Sequence, residues 1–129
     1  ARALAEARGV SLRTLHVDLA QYTIEPNAWD LIVSVFCHLP RDLRVRVHEG
    51  VAAGLRPGGK FVLEAYTPGQ LSLNTGGPPS VRMMMDLESL KRELAPLAFE
   101  HAAELQREVC EGRYHHGTGA VVQIIATRE

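Results

Sequence analysis

The sequence predicts an α/β fold: a mostly parallel sheet with helices on both faces, closed by an antiparallel hairpin. Three observations carry that prediction. The stretch 29–68, WDLIVSVFCHLPRDLRVRVHEGVAAGLRPGGKFVLEAYTP, reads as strand, helix, turn, strand. Its two apolar runs, Leu31-Ile32-Val33-Ser34-Val35 and Phe61-Val62-Leu63, are nearly continuous. Such runs suit interior strands covered on both faces of a parallel sheet. The last apolar run, 120–126, follows Gly117-Thr118-Gly119 and suits one arm of a hairpin.

Taken in order, residues 1–9 read as the second half of an amphipathic helix. Leu4 and Ala7 share one face, and Gly9 stands where a helix takes its left-handed C′ residue. No N-cap and no strand come before it, so the sequence reads as one that starts inside a helix. Residues 12–17, with Leu12, Leu15 and Val17, form a third parallel strand with Asp18 and Leu19 at its carboxyl end. Residues 21–28 are polar and carry Pro26, which suits a loop or a short helical turn.

Pro40 opens the crossover helix, where its missing N–H costs nothing. Leu43, Val47, Val51 and Leu55 recur every four residues and give it one apolar stripe. Pro57-Gly58-Gly59 ends it. Residues 67–82 are rich in Pro, Gly, Ser and Asn and leave a strand's carboxyl end, which suits a lid. Asp86 caps a helix through Leu87, Leu90 and Leu94, closed by Pro96. Residues 99–111 fit strand or helix periodicity, and the hairpin with 120–127 favours strand.

In open α/β sheets ligands bind outside the carboxyl ends of the strands. Residues 35–38 and 64–67 are therefore two walls of one candidate pocket. Composition narrows the partners. The 129 residues suit one domain, and the net charge of −1 is scattered, so nothing steers the chain toward nucleic acid or an anionic membrane. No apolar run approaches the roughly 20 residues of a membrane span, and the N-terminus lacks the apolar core of a signal peptide. Two cysteines make no disulfide framework, which suits a reducing cytoplasm.

The order of these pieces resembles the later part of the class I S-adenosylmethionine-dependent methyltransferases. Within them it is similar to the bacterial small-molecule enzymes of the tellurite-resistance type. The local matches are Trp29-Asp30 opening a strand, Cys37-His38-Leu39-Pro40, Leu55-Arg56-Pro57-Gly58-Gly59-Lys60, and Tyr66-Thr67-Pro68 with Thr75-Gly76-Gly77-Pro78. Glu111-Gly112-Arg113-Tyr114-His115 looks like part of the same set.

The resemblance implies a Rossmann-like fold, S-adenosylmethionine as cofactor and a small-molecule methyl acceptor. It implies that Asp18 accepts from the adenine amino group and that the Leu19 backbone N–H meets the ring. Ser34, Val35 and Phe36 then line the methionine and sulfonium region. An aromatic face such as Phe36 or Tyr66 favours a cation. The candidates for relaying a proton from the acceptor are Tyr66, Tyr114, His115 and His38. One departure is large: the family's glycine-rich loop has no counterpart, since no G-x-G-x-x-G occurs. About half of the cofactor shell is therefore absent from this sequence.

Plainer readings stand beside these. Asp18 can cap a turn, His38 can pack or hydrogen-bond ahead of a helix, and Cys37 can be a small core residue. The Met83-Met84-Met85 run suits core packing as well as a pocket wall. Cys110 with His115-His116 lacks a third ligand at metal-site spacing, so no metal is expected. Two other functions share the same grammar: a non-catalytic binding or oligomerisation module, and a fragment of a nicotinamide-dependent oxidoreductase. A sheet without its first strands exposes an edge, so a homo-oligomer joined there is expected.

Overall fold

The computed structural model describes residues 1–112 and 115–129. Four strands form one sheet in the order β1-β2-β4-β3. They are β1 (Trp29–Val35), β2 (Leu55–Tyr66), β3 (Ala98–Cys110) and β4 (His116–Thr127). Among the described residues three α-helices accompany them: α1 (Arg2–Ala7), α2 (Arg41–Gly54) and α3 (Leu87–Glu93). β1 and β2 run parallel, with Ile32 opposite Phe61 and Ser34 opposite Leu63. β2–β4 and β4–β3 are antiparallel. The α/β class and the closing hairpin are as expected, and the sheet is mixed, with one parallel pair and two antiparallel ones.

The anticipated strand at 12–17 is not formed. Leu12, Leu15 and Val17 are exposed and lie in no ladder. A parallel strand needs a neighbour to satisfy its backbone, and among the described residues β1's one strand neighbour is β2. For the same reason β1 is an edge strand, not the interior strand its composition suggested.

The core gathers on one face of the sheet. Phe61, Leu63 and Ala65 of β2 meet Val122, Ile124 and Ala126 of β4. Val51 from α2 and Leu90 from α3, with Leu94, close over them. Both helices of the core therefore share this face. Of the expected apolar stripe, Val51 and Leu55 are buried, while Leu43 and Val47 are only half-buried and their neighbours Arg44 and His48 are buried instead.

Turn chemistry explains the joints. At the end of α1, Gly9 has φ +64°. Its N–H reaches Glu6 O and the Val10 N–H reaches Ala5 O, both at 3.0 Å, which is a Schellman cap. Helix α2 ends at Gly54, ahead of Pro57-Gly58-Gly59, which instead forms an irregular bulge at the start of β2. There a Cβ on Gly59 would sit 2.8 Å from Arg56 O and 2.9 Å from Trp29 O, so only glycine fits. Asp86 Oδ1 accepts from Ser89 N at 2.8 Å, the N-cap read from sequence. Gly117, Thr118 and Gly119 belong to β4 rather than to the hairpin turn.

Candidate functional site

The carboxyl ends of β1 and β2 lie side by side, as a parallel pair requires. At the end of β1, Phe36 adopts φ +49°. That left-handed conformation is unfavourable for a bulky side chain and concentrates at functional sites. It is fixed by the Phe36 N–H donating to Glu64 O at 2.8 Å and the His38 N–H donating to Phe36 O at 3.1 Å. The bend swings the Phe36 ring onto Tyr66, with centroids 4.7 Å apart and planes 26° apart. His115 completes the group, 4.8 Å from Phe36 and 5.8 Å from Tyr66. Burial, and then the negative charge of Glu111, holds the Tyr66 hydroxyl above its usual titration range.

His38 stacks on the Tyr66 ring at 5.7 Å with planes 7° apart. Both its nitrogens are engaged. Nδ1 lies 3.1 Å from the Met83 carbonyl, which can only accept. The Tyr66 N–H donates to Nε2 over 3.3 Å. These partners fix the neutral Nδ1–H tautomer. Burial lowers the pKa of His38, and nearby His115 and Arg44 push the same way.

Asp18 sits in the turn that precedes residues 21–28. It is exposed, and its Oδ1 accepts from Ala20 N at 2.9 Å to close a turn. Arg46 ties that turn to α2 through Ala20 O at 2.8 Å. Leu19, Ser34, Val35 and Cys37 instead line a cavity of about 590 Å³ between β1 and α2. Burial raises the pKa of the Cys37 thiol. The sequence candidates thus fall into two adjacent groups, cavity wall and ring cluster, joined through residues 34–38. Tyr114 lies outside the described residues. Cys110 Sγ is 3.5 Å from His116 Nδ1, and among the described residues no third ligand joins them.

The segment expected to be a lid is tied down. It holds the 3₁₀ turns Pro68–Ser72 and Val81–Met83. Buried Gln70 donates to Thr75 Oγ1 at 2.9 Å and to Gly76 O at 3.1 Å, and accepts from Ala120 N at 2.8 Å. Gly77 and Gly119 press on the Tyr66 ring, where a Cβ would come within 3.1 and 3.2 Å of ring carbons. Neither Gln70 nor the buried Arg44 and His48 with half-buried Glu93 was legible as a site residue. No periodicity marks a loop glutamine, and polar residues inside an amphipathic helix read as solvent-facing.

On the far face of the sheet, Glu64 receives Arg107 and Gln123, and Arg107 also reaches Glu111. Those hydrogen bonds and the Arg107 charge outweigh burial and hold the Glu64 carboxyl below its ordinary range.

The fold has counterparts among solved structures. TehB from Haemophilus influenzae superposes with a TM-score of 0.75 at 16% identity, over 99% of this chain and 45% of that one. A SAM-dependent methyltransferase from Methanosarcina mazei gives 0.66 at 13% identity, over 98% and 74%. The N-methyltransferase NodS from Bradyrhizobium japonicum, in complex with S-adenosyl-L-homocysteine, gives 0.61 at 16% identity, over 99% and 61%. The fold is that of the SAM-dependent methyltransferases. At these identities the likeness is one of fold, and the chain spans less than half of the TehB chain. No protein-family model matches the sequence, and no curated protein matches it. Among the described residues of this methyltransferase-like chain, no helix is long and apolar enough to cross a membrane.

Proposed function

We propose that this chain forms one side of a site for methyl transfer from S-adenosylmethionine to a small-molecule acceptor. The observation that carries the reading is Phe36, strained at φ +49° on the carboxyl end of β1 and stacked against Tyr66. When bound, the cofactor supplies an electrophilic methyl group on a cationic sulfonium. The donor set fits that centre: the Phe36 and Tyr66 faces favour a cation, and the adjoining cavity is walled by Leu19, Ser34 and Val35. Its volume of about 590 Å³ suits a small molecule. Asp18 is the candidate for the adenine amino group, through the carboxylate oxygen its turn leaves free.

Methyl transfer to a good nucleophile chiefly needs alignment and the exclusion of water. The tied segment 67–82 supplies the excluding wall. For an acceptor that loses a proton, the Tyr66 hydroxyl, His115 and Tyr114 remain the relay candidates. His38, with both nitrogens engaged, serves better as a positioning group than as a base. Two unpaired cysteines, Cys37 and Cys110, favour a reducing cytoplasm.

Calorimetry with S-adenosylhomocysteine tests the reading. Binding by this chain that weakens at least about tenfold in Phe36→Ala, a loss near 1.4 kcal/mol, supports it. Silence toward both S-adenosylhomocysteine and S-adenosylmethionine sinks cofactor binding by this chain. It favours the second reading, a non-catalytic binding or oligomerisation module. That alternative draws on the free edge of β1, whose apolar residues are exposed and suit pairing with a second copy.

A further inference from the structure

Three consecutive residues after the tied segment each give a backbone group to a different part of the fold: the loop between β1 and α2, α2 itself, and β2. Met83 O accepts from His38 Nδ1 at 3.1 Å. Met84 O accepts from Arg44 Nη1 at 3.0 Å. The Met85 N–H donates to Tyr66 O at 3.1 Å. Met84 and Met85 are buried. The three residues form a strap across the ends of β1, α2 and β2.

The middle bond of the strap is the one held by charge. Arg44 is 3% exposed. Its Nε and Nη2 grip the two oxygens of Glu93 at 3.0 and 2.6 Å. His48 Nδ1 lies 2.7 Å from Glu93 Oε2. A guanidinium is planar and rigid, so a carboxylate that fixes one edge fixes the direction of the remaining N–H groups. Glu93 thereby aims Nη1 at Met84 O. A buried cation without its partner is strongly unfavourable, so the arrangement holds as a unit.

We propose that Arg44 is a positioning residue for the ring cluster: held in plane by Glu93, it pins Met84 and so keeps Met83 O on His38 Nδ1. The strap thus selects the tautomer that leaves Nε2 free to receive the Tyr66 N–H, and keeps the imidazole flat beneath the Tyr66 ring. The importance of that ring cluster rests on the methyl-transfer reading; the clamp itself does not.

Long-range proton–nitrogen correlation on the chain labelled at histidine reads the His38 tautomer directly. The unmodified chain is expected to show a single Nδ1–H form. Arg44→Lys keeps the charge but loses the fork, and is expected to give comparable populations of both tautomers. His48→Gln, which leaves the Arg44–Glu93 grip in place, is expected to change nothing at His38. A folded Arg44→Lys chain with His38 still wholly Nδ1–H overturns the proposal. Should that variant not fold, Arg44→Met/Glu93→Met removes both charges together and is read the same way.

Hydrogen exchange in the unmodified chain decides if neither variant folds. A clamped strap requires Met85 N–H to exchange no faster than Leu90 N–H, which is bonded to Asp86 O within α3. A separate, easier opening at Met85 overturns it. Calorimetric silence toward S-adenosylhomocysteine beside a locked His38 would sink the functional reading and leave the clamp standing.

Discussion

β1 and β2 lie side by side and are built from much the same residues, yet they end in opposite environments. Phe61, Leu63 and Ala65 of β2 are 0, 1 and 1% exposed. Leu31, Val33 and Val35 of β1 are 52, 55 and 53% exposed. The two sets differ in what lies around them. Phe61, Leu63 and Ala65 face α2 and α3, whereas Leu31, Val33 and Val35 lie on the other face of the last strand, because Ile32 and Ser34 are the residues in register with Phe61 and Leu63. Apolar composition records what a strand is able to bury; the neighbours decide what it does bury.

The sharpest way to break this comparison is to shorten a side chain on the buried side. Phe61→Ala is expected to lower the unfolding free energy by about 3–5 kcal/mol, the range for a large aromatic lost from a core. Urea unfolding measures it, and a loss below about 1 kcal/mol would mean that β2 is no better packed than the edge.

Acid tests the same side through charge. Burial disfavours the Glu93 carboxylate, but hydrogen bonds from His48 and Arg44 and the Arg44 charge prevail, bringing its pKa from an ordinary 4.5 to about 2. Because the folded value is the lower one, this stabilisation is complete above about pH 5 and is lost as pH falls toward 2. The shift corresponds to about 3 kcal/mol. Unfolding at stepped pH is expected to show that loss in the unmodified chain and its near absence in a folded Glu93→Gln chain.

A smaller effect is expected at the rim of the core, where Asp86→Ala removes the cap on α3 and costs about 1 kcal/mol. The smallest belongs to β1. Val33→Thr is expected to stay within about 0.5 kcal/mol by urea unfolding, as for an exposed position. A loss of about 2 kcal/mol there would show that something covers that face of β1 in solution. Sedimentation at rising concentration would then reveal whether the cover is a second copy.

How much was legible follows the same division. The parallel β1–β2 unit, the Asp86 cap and the closing hairpin were all readable, because each rests on contacts near in sequence or on residue-specific backbone preferences. Phe36 and Tyr66 were drawn to one rim by the rule that parallel strands present their carboxyl ends together. The strand at 12–17 was not safe to infer, since its apolar residues state a capacity for pairing and no partner strand lies beside them. Asp18, expected at the carboxyl end of that strand, closes a local turn through the Ala20 N–H.

The sequence by itself determined the α/β order, the helix caps and which strand ends meet, through periodicity, proline and glycine, and the geometry of a parallel crossover. Only the tertiary structure decided that β1 is an edge, that His38 spends both nitrogens on backbone groups, and that Arg44, Glu93 and Gln70 hold the site's surroundings. Those outcomes depend on residues far apart in sequence, such as Arg44 and Glu93 or Gln70 and Ala120. A buried polar group is stable only where a partner arrives, and that partner is fixed by the packing of the whole chain.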